Sequence, residues 1–264
     1  MNFYWIYEIP LLLAFVIVAG FFTLYAVVGL WIARLTFHKK LVYSHDRNEQ
    51  VSFFMSSIGV FYGITLGLVA VGTWESFEQV QERVARETAM LGALYRDINN
   101  LPEPARTDFH NHLRAYTKYT IEEAWPLQQQ GIFPTKGIQM LTDFQDELYD
   151  FEPTSRREEI IFAEVLRIYN EFLTMRRLRL LSVNNGLPNV VWMVTIVGAL
   201  VSISFFWFFI MKNKIFQDIL TIILSFFIGT MIFLIAMMDN PFRGEISVTP
   251  ESFEILYQQM LNNK

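Results

Sequence analysis

The sequence predicts an all-α membrane protein: four transmembrane helices plus a helical extramembrane bundle inserted between the second and third spans. Three observations carry this. The chain is 53% hydrophobic, above the roughly 45–50% of soluble domains, and the excess lies in four blocks rather than being spread along the chain. No block contains a charged residue between its ends, and each is long enough to cross about 30 Å of hydrocarbon at about 1.5 Å per residue. The segment between the second and third blocks has few strand signals and repeats its apolar residues at helical spacing.

The spans are Ile9 to Ala33, Val51 to Trp74, Leu187 to Met211 and Ile219 to Met238. Tyr4, Trp5, Tyr7, Trp31, Trp74 and Trp192 sit at their ends, where amphipathic rings anchor at the interface. Met1 to Pro10 has no Lys or Arg, so a cleavable leader is not expected and the first block is retained. The expected units are residues 1–74 as a first transmembrane pair, 75–186 as a helical domain, 187–238 as a second pair and 239–264 as a C-terminal tail. Lys212 to Asp218 is so short that the last two spans form an antiparallel hairpin.

Within the helical domain the second span continues outward. Phe77, Val84, Leu91 and Ile98 recur every seven residues, Val80, Leu94 and Leu101 fill the other register, and Glu87 interrupts it. This seam is buried either within the bundle or between subunits. Pro102 and Pro104 end it. A second helix carries Phe109, Leu113, Tyr116 and Ile121 and stops at Pro126, with a loop over Gln128 to Lys136. A short helix follows with Leu141, Phe144 and Leu148. Ser155 with Glu158 forms a capping box for a last helix bearing Ile161, Val165, Ile168, Phe172 and Met175.

Arg34, Lys39, Lys40, Arg47, Lys212 and Lys214 lie in the two short loops. The positive-inside rule puts those loops in the cytoplasm, and the helical domain and both termini outside the cell's inner (plasma) membrane. Arg176, Arg177 and Arg179 argue the other way, but they belong to a long domain, where charge counts for less.

The second span holds the candidate site. Ser56, Gly59, Gly63 and Gly67 form a bare row that lets another helix approach, either within the subunit or from a neighbour. Phe54, Phe61, Thr65, Leu68 and Gly72 lie on the opposite face as candidates for lining a pathway, with the two phenylalanines able to form an apolar constriction. Trp74, Glu75, Glu78 and Asp239 at the boundary are candidates for its mouth. With no ionisable residue inside a span, proton-coupled transport is disfavoured.

Other chemistries find no support. The chain has no cysteine, and a net charge of −5 with no basic run sets nucleic acid aside. His110 and His112 are two apart on a helix and diverge, so no metal site is expected. No cofactor motif and no catalytic set occur, so an enzyme is not expected.

Asp239-Asn240-Pro241-Phe242-Arg243-Gly244-Glu245, followed by Pro250-Glu251-Ser252-Phe253-Glu254, resembles the segment after the last span of bestrophin anion channels. Gly63-Ile64-Thr65-Leu66-Gly67 and Leu94-Tyr95-Arg96-Asp97 extend a resemblance to the bacterial bestrophin-like family along nearly the full length. The family-like motif itself is Asn240, Pro241 and Phe242. The resemblance implies a homo-oligomeric, channel-like assembly in lipid, pentameric as in bestrophins, that passes a small inorganic ion, with anions as the family precedent. It also implies a cytosolic domain, against the charge count. Where bestrophins carry an acidic calcium clasp, this chain reads Glu245-Ile246-Ser247-Val248-Thr249, which argues against calcium gating. The rival reading is a non-conducting membrane scaffold or sensor whose helical domain binds a partner or ligand.

Overall fold

The computed structural model describes residues 4–36, 38 and 44–262. Lys39, Lys40 and Lys264, which enter the charge count, lie outside them. Two compact units are present, one from Met1–Ser76 with Gly186–Asp239 and the other from Phe77–Asn185 with Asn240–Lys264. Among the described residues every regular element is helical. The all-α architecture with four spans and a helical bundle is the observed one.

The first unit contains α1 (Leu11–Thr36), the first half of α2 (His45–Ile98), α7 (Asn189–Phe205) and α8 (Lys214–Met238). All four helices are long and apolar enough to cross a membrane. Beyond its first turn a helix bonds its backbone N–H groups within its own segment, which hydrocarbon demands. The third span ends earlier than its apolar run suggests. After Phe205 the chain tightens into a 3-10 turn, Phe206–Phe208, and then leaves the helix. Asn48 explains the exit. Its amide donates to the Ile210 carbonyl (2.9 Å) and accepts from the Ile210 N–H (3.3 Å), replacing helical partners. Asn213 then caps α8 by accepting from the Phe216 N–H at 3.2 Å, so the fourth helix starts at Lys214 rather than near Ile219.

α1 packs along α8. The backbones come close at Gly229, where an added Cβ would sit 2.8 Å from the Ala19 Cα. Ala14, Ala19, Ala26 and Ala33 are all buried on α1. Small residues bring the backbones together because apolar surface gains little by leaving lipid for another helix.

The second unit contains the rest of α2 with α3 (Ala105–Tyr119), α4 (Trp125–Gln129), α5 (Lys136–Asp150), α6 (Arg156–Leu181) and α9 (Glu251–Asn262). Val80, Val84, Leu91, Leu94, Ile98 and Leu101 are buried in its core, so the heptad seam is covered by its own chain. Pro126 does not stop the second helix. A π turn over Thr120–Ala124 shifts the register, and the proline falls in the first turn of α4, where a missing N–H costs little. Ser155 caps α6 by accepting from the Glu158 N–H (3.3 Å), while the Glu158 carboxylate reaches back to the Thr154 N–H (2.8 Å). The chain end is part of the core. Phe253, Leu256 and Met260 are buried, and the Met260 carbonyl accepts from Tyr95 Oη (3.1 Å) and the Arg114 guanidinium (2.9 Å).

Glu87 interrupts the seam because it has a charged partner. Its carboxylate receives two bonds from Arg179, at 2.6 and 3.0 Å, and both side chains are almost fully buried. Arg179 also donates to Gln128 Oε1 at 2.5 Å and lies 5.5 Å from the Trp125 and Phe253 ring centres. A buried ion pair holds only where every donor is matched and the walls exclude competing water. We expect Arg179→Met to destabilise the protein by about 3–5 kcal/mol, because it strands a buried carboxylate. A Glu87→Leu/Arg179→Met double variant should recover most of that loss, as read from unfolding of the purified protein in detergent. In a parallel comparison, Gly229→Val should lower the melting temperature by prying α1 from α8. Gly20→Ala should leave it unchanged, since an added Cβ there meets nothing within 4 Å.

Candidate functional site

The second span shows one stripe to its own chain. Leu66 and Thr73 are buried and Tyr62 and Val69 partly so, at spacings of four, three and four. Tyr62 carries the contact. Its hydroxyl donates to the Thr195 carbonyl at 3.1 Å, and its ring lies where a Cβ on Gly198 would come within 2.5 Å. The glycine that admits the second span is therefore Gly198 on α7, not one of its own. A lone tyrosine in an apolar run was the available signal, because a phenolic O–H in a span needs an acceptor.

The predicted row of Ser56, Gly59, Gly63 and Gly67 is not packed against its own chain. A Cβ added at Gly59, Gly63, Gly67 or Gly72 meets nothing within 4 Å. Ser56 is exposed and its hydroxyl donates back to the Ser52 carbonyl at 2.8 Å. Thr65 does the same to Phe61, at 2.9 Å. These hydroxyls are satisfied by their own helix.

Two other faces are also open. Phe54, Phe61 and Leu68 are exposed, by 73% for Phe61, with Thr65 half-buried and Gly72 exposed beside them. Phe53, Val60, Ile64 and Val71 are exposed as well. At about 100° per residue, this last set stands half a turn from the Leu66 stripe. The glycine row flanks it on one side and the Phe61 stripe on the other.

At the boundary, Trp74, Glu75 and Glu78 are exposed. Asp239 is different. Its carboxylate points inward, accepting from the Leu187 N–H (2.5 Å) and Trp192 Nε1 (3.0 Å), with Gly186 close against it. Burial pushes its carboxyl pKa up, against the lowering effect of those two donors. It anchors the start of α7 and is not among the exposed charges.

Asn240, Pro241 and Phe242 make a turn in which the Arg243 N–H donates to the Asn240 carbonyl at 3.0 Å. Phe242 is buried against Trp125, with ring centres 5.6 Å apart, and the Pro241 carbonyl accepts from the Val248 N–H at 2.8 Å. Gly244 takes a φ of 79°, a left-handed conformation that side chains disfavour, so that the loop can close. The motif is a packing device for the chain end.

His110 and His112 diverge. His110 stacks on Tyr95 with ring centres 4.0 Å apart, and its Nε2 shares a hydrogen bond with the Tyr95 carbonyl at 3.0 Å. Burial lowers its pKa. His112 lies 3.1 Å from Glu147. Among the described residues no three His, Asp or Glu side chains converge to hold a metal ion.

The Bestrophin-like domain family matches residues 20–253. A bacterial bestrophin homologue from Klebsiella pneumoniae superposes with a TM-score of 0.70 at 12% identity, covering 94% of this chain and 97% of that one. A point variant of that homologue gives 0.70 at 14% identity, covering 92% and 98%. No curated protein matches. Identity this low speaks to the shared fold, and the family match spans most of the chain: this multi-pass membrane protein belongs to the Bestrophin-like family.

Proposed function

We propose that the chain is one subunit of a homo-oligomeric ion channel whose second span lines the pathway. One observation carries this. Only 6% of the apolar stretch of α2 is buried by its own chain, against 22, 28 and 39% for the other three spans. A bare glycine face gains by meeting a helix, because backbones then approach closely. In a closed ring of identical contacts, one flank of α2 meets the other flank of its neighbour. The Gly59–Gly63 groove of one subunit then receives the Phe54, Phe61 and Leu68 ridge of the next. That arrangement turns the face opposite Leu66 to the axis and moves the constriction from Phe54 and Phe61 to Phe53, Val60, Ile64 and Val71. An apolar ring of this kind gates by drying.

Glu75 and Glu78 follow the span on exposed positions of the same helix. Repeated around a ring, carboxylates concentrate cations and repel anions. The reading is therefore a cation pathway, in place of the anion conduction that bestrophins suggest. The protein resides in the inner (plasma) membrane, with the short loops inside by the charge count.

Purified protein in liposomes should pass Na⁺ or K⁺. Ile64→Ala should raise the flux several-fold, and Phe61→Ala should change it less. Under a NaCl gradient the reversal potential should fall on the cation side and move toward zero in Glu75→Gln/Glu78→Gln. Absence of flux from both wild type and Ile64→Ala returns the protein to a scaffold or sensor role. A reporter fused at Lys264 should be active outside the cytoplasm, and activity inside reverses the topology.

A further inference from the structure

A groove of about 280 Å³ opens on the first span, walled by Tyr25, Val28, Gly29, Ile32, Trp207 and Phe208. Trp207 shapes it. The 3-10 turn that ends α7 swings the indole flat onto Gly29, where any added side chain would collide with the ring. The polar groups of the wall are already spent. Trp207 Nε1 donates to the Ala26 carbonyl at 3.1 Å, and the Tyr25 hydroxyl and Ser204 Oγ are 2.9 Å apart. What faces outward is hydrocarbon and aromatic surface, with Val28, Ile32 and Phe208 each about half exposed at the rim. Its size is near the lower end of small-ligand sites, about 300 Å³. An occupant here has a flexible apolar chain and no hydrogen-bonding group along it.

The groove lies toward the basic end of the span. Residues 34–50 and 212–218 together carry six Lys or Arg against three Asp or Glu, with Lys39 and Lys40 outside the described residues and Arg34 paired with Asp218 at 2.7 Å. His38 Nε2 shares a hydrogen bond with the Trp207 carbonyl at 2.8 Å. Lys212 stands four residues beyond Phe208, and Lys214 opens α8. Basic positions at the headgroup level beside an apolar cleft favour an anionic lipid over a zwitterionic one.

We propose that this groove holds an acyl chain of an anionic phospholipid whose headgroup meets Lys212 and Lys214. Two residues beyond Phe208 in the same segment, Ile210 is clamped by Asn48 from the first turn of α2. Occupancy therefore bears on the helix assigned to the pathway. That consequence rests on the channel reading, whereas the lipid site does not.

The test uses the full-length protein in mixed vesicles of phosphatidylglycerol and phosphatidylcholine, with chain-brominated lipid of one class or the other at equal mole fraction. Bromine quenches nearby tryptophan, and the Trp207 contribution is the difference between wild type and Trp207→Phe. Brominated phosphatidylglycerol should quench that component several-fold more efficiently than brominated phosphatidylcholine. Each surface lysine contributes about fivefold to the preference, so Lys212→Gln/Lys214→Gln should remove most of it while leaving quenching by phosphatidylcholine intact. Ile32→Phe, which narrows the groove from its rim, should reduce quenching by both. Equal quenching by the two lipids in wild type overturns the proposal. So does a Trp207 signal that neither lipid reaches, the result expected if a second copy of the chain covers this face. No current is measured, so a protein that fails to conduct yet shows the lipid preference loses the channel reading and keeps the site.

Discussion

Hydrocarbon offers no hydrogen bonds, and that constraint organises the first unit. Backbone N–H groups in a span find their carbonyls within the same helix, and most hydroxyls do likewise or pair across, Thr195 Oγ1 and Ser202 Oγ being buried exceptions. Ser56, Thr65, Thr221 and Ser225 bond the preceding turn of their own helix. Tyr62 and Tyr25 reach across to α7. Where the chain must leave the helix, at Phe209–Asn213, side chains from elsewhere supply what the backbone loses. Asn48 serves Ile210, and Gln217 Nε2 donates to the Phe209 carbonyl at 2.8 Å.

Different forces assemble the second unit. There the core is aromatic and large, with Trp125, Tyr116, Phe144, Tyr169, Phe172, Phe242 and Phe253 all buried. Burial of such side chains from water is the dominant gain. The Glu87–Arg179 pair gives little net energy against that gain, but with Gln128 it joins α2, α4 and α6 at one buried point. The α1–α8 contact, by comparison, is specified by the near contact of two backbones at Ala19 and Gly229.

Much of this was legible in the residues. Span existence follows from uncharged length, and the seam from its seven-residue repeat, because both are one-dimensional properties of a helix. The extent of the third span was not, since its end depends on Asn48, far away in sequence. Pro126 was misleading because proline's penalty depends on where it falls in the turn, and a π turn moved it to a harmless position. Glu87 looked like a flaw in the seam because its partner lies on another helix. The site divides in the same way. That α2 carries a glycine face and an aromatic face is plain from spacing. Which face meets its own chain was hidden, because Gly198 and Tyr62 are recognisable only as a pair. An Ala19–Ala26–Ala33 row at seven-residue intervals was the available hint that α1 takes the tight contact.

Tyr62 has a further consequence. Between the Asn48 clamp at its start and its extramembrane half, it holds the apolar part of α2 to its own chain through a phenolic bond and a narrow stripe, so the energetic environment of most of that span is external to the polypeptide. Substitutions at Val60 or Ile64 leave the internal contacts of a lone protomer intact. Whatever such substitutions change therefore lies in what surrounds the span, lipid or another helix, rather than in the folding of the single chain.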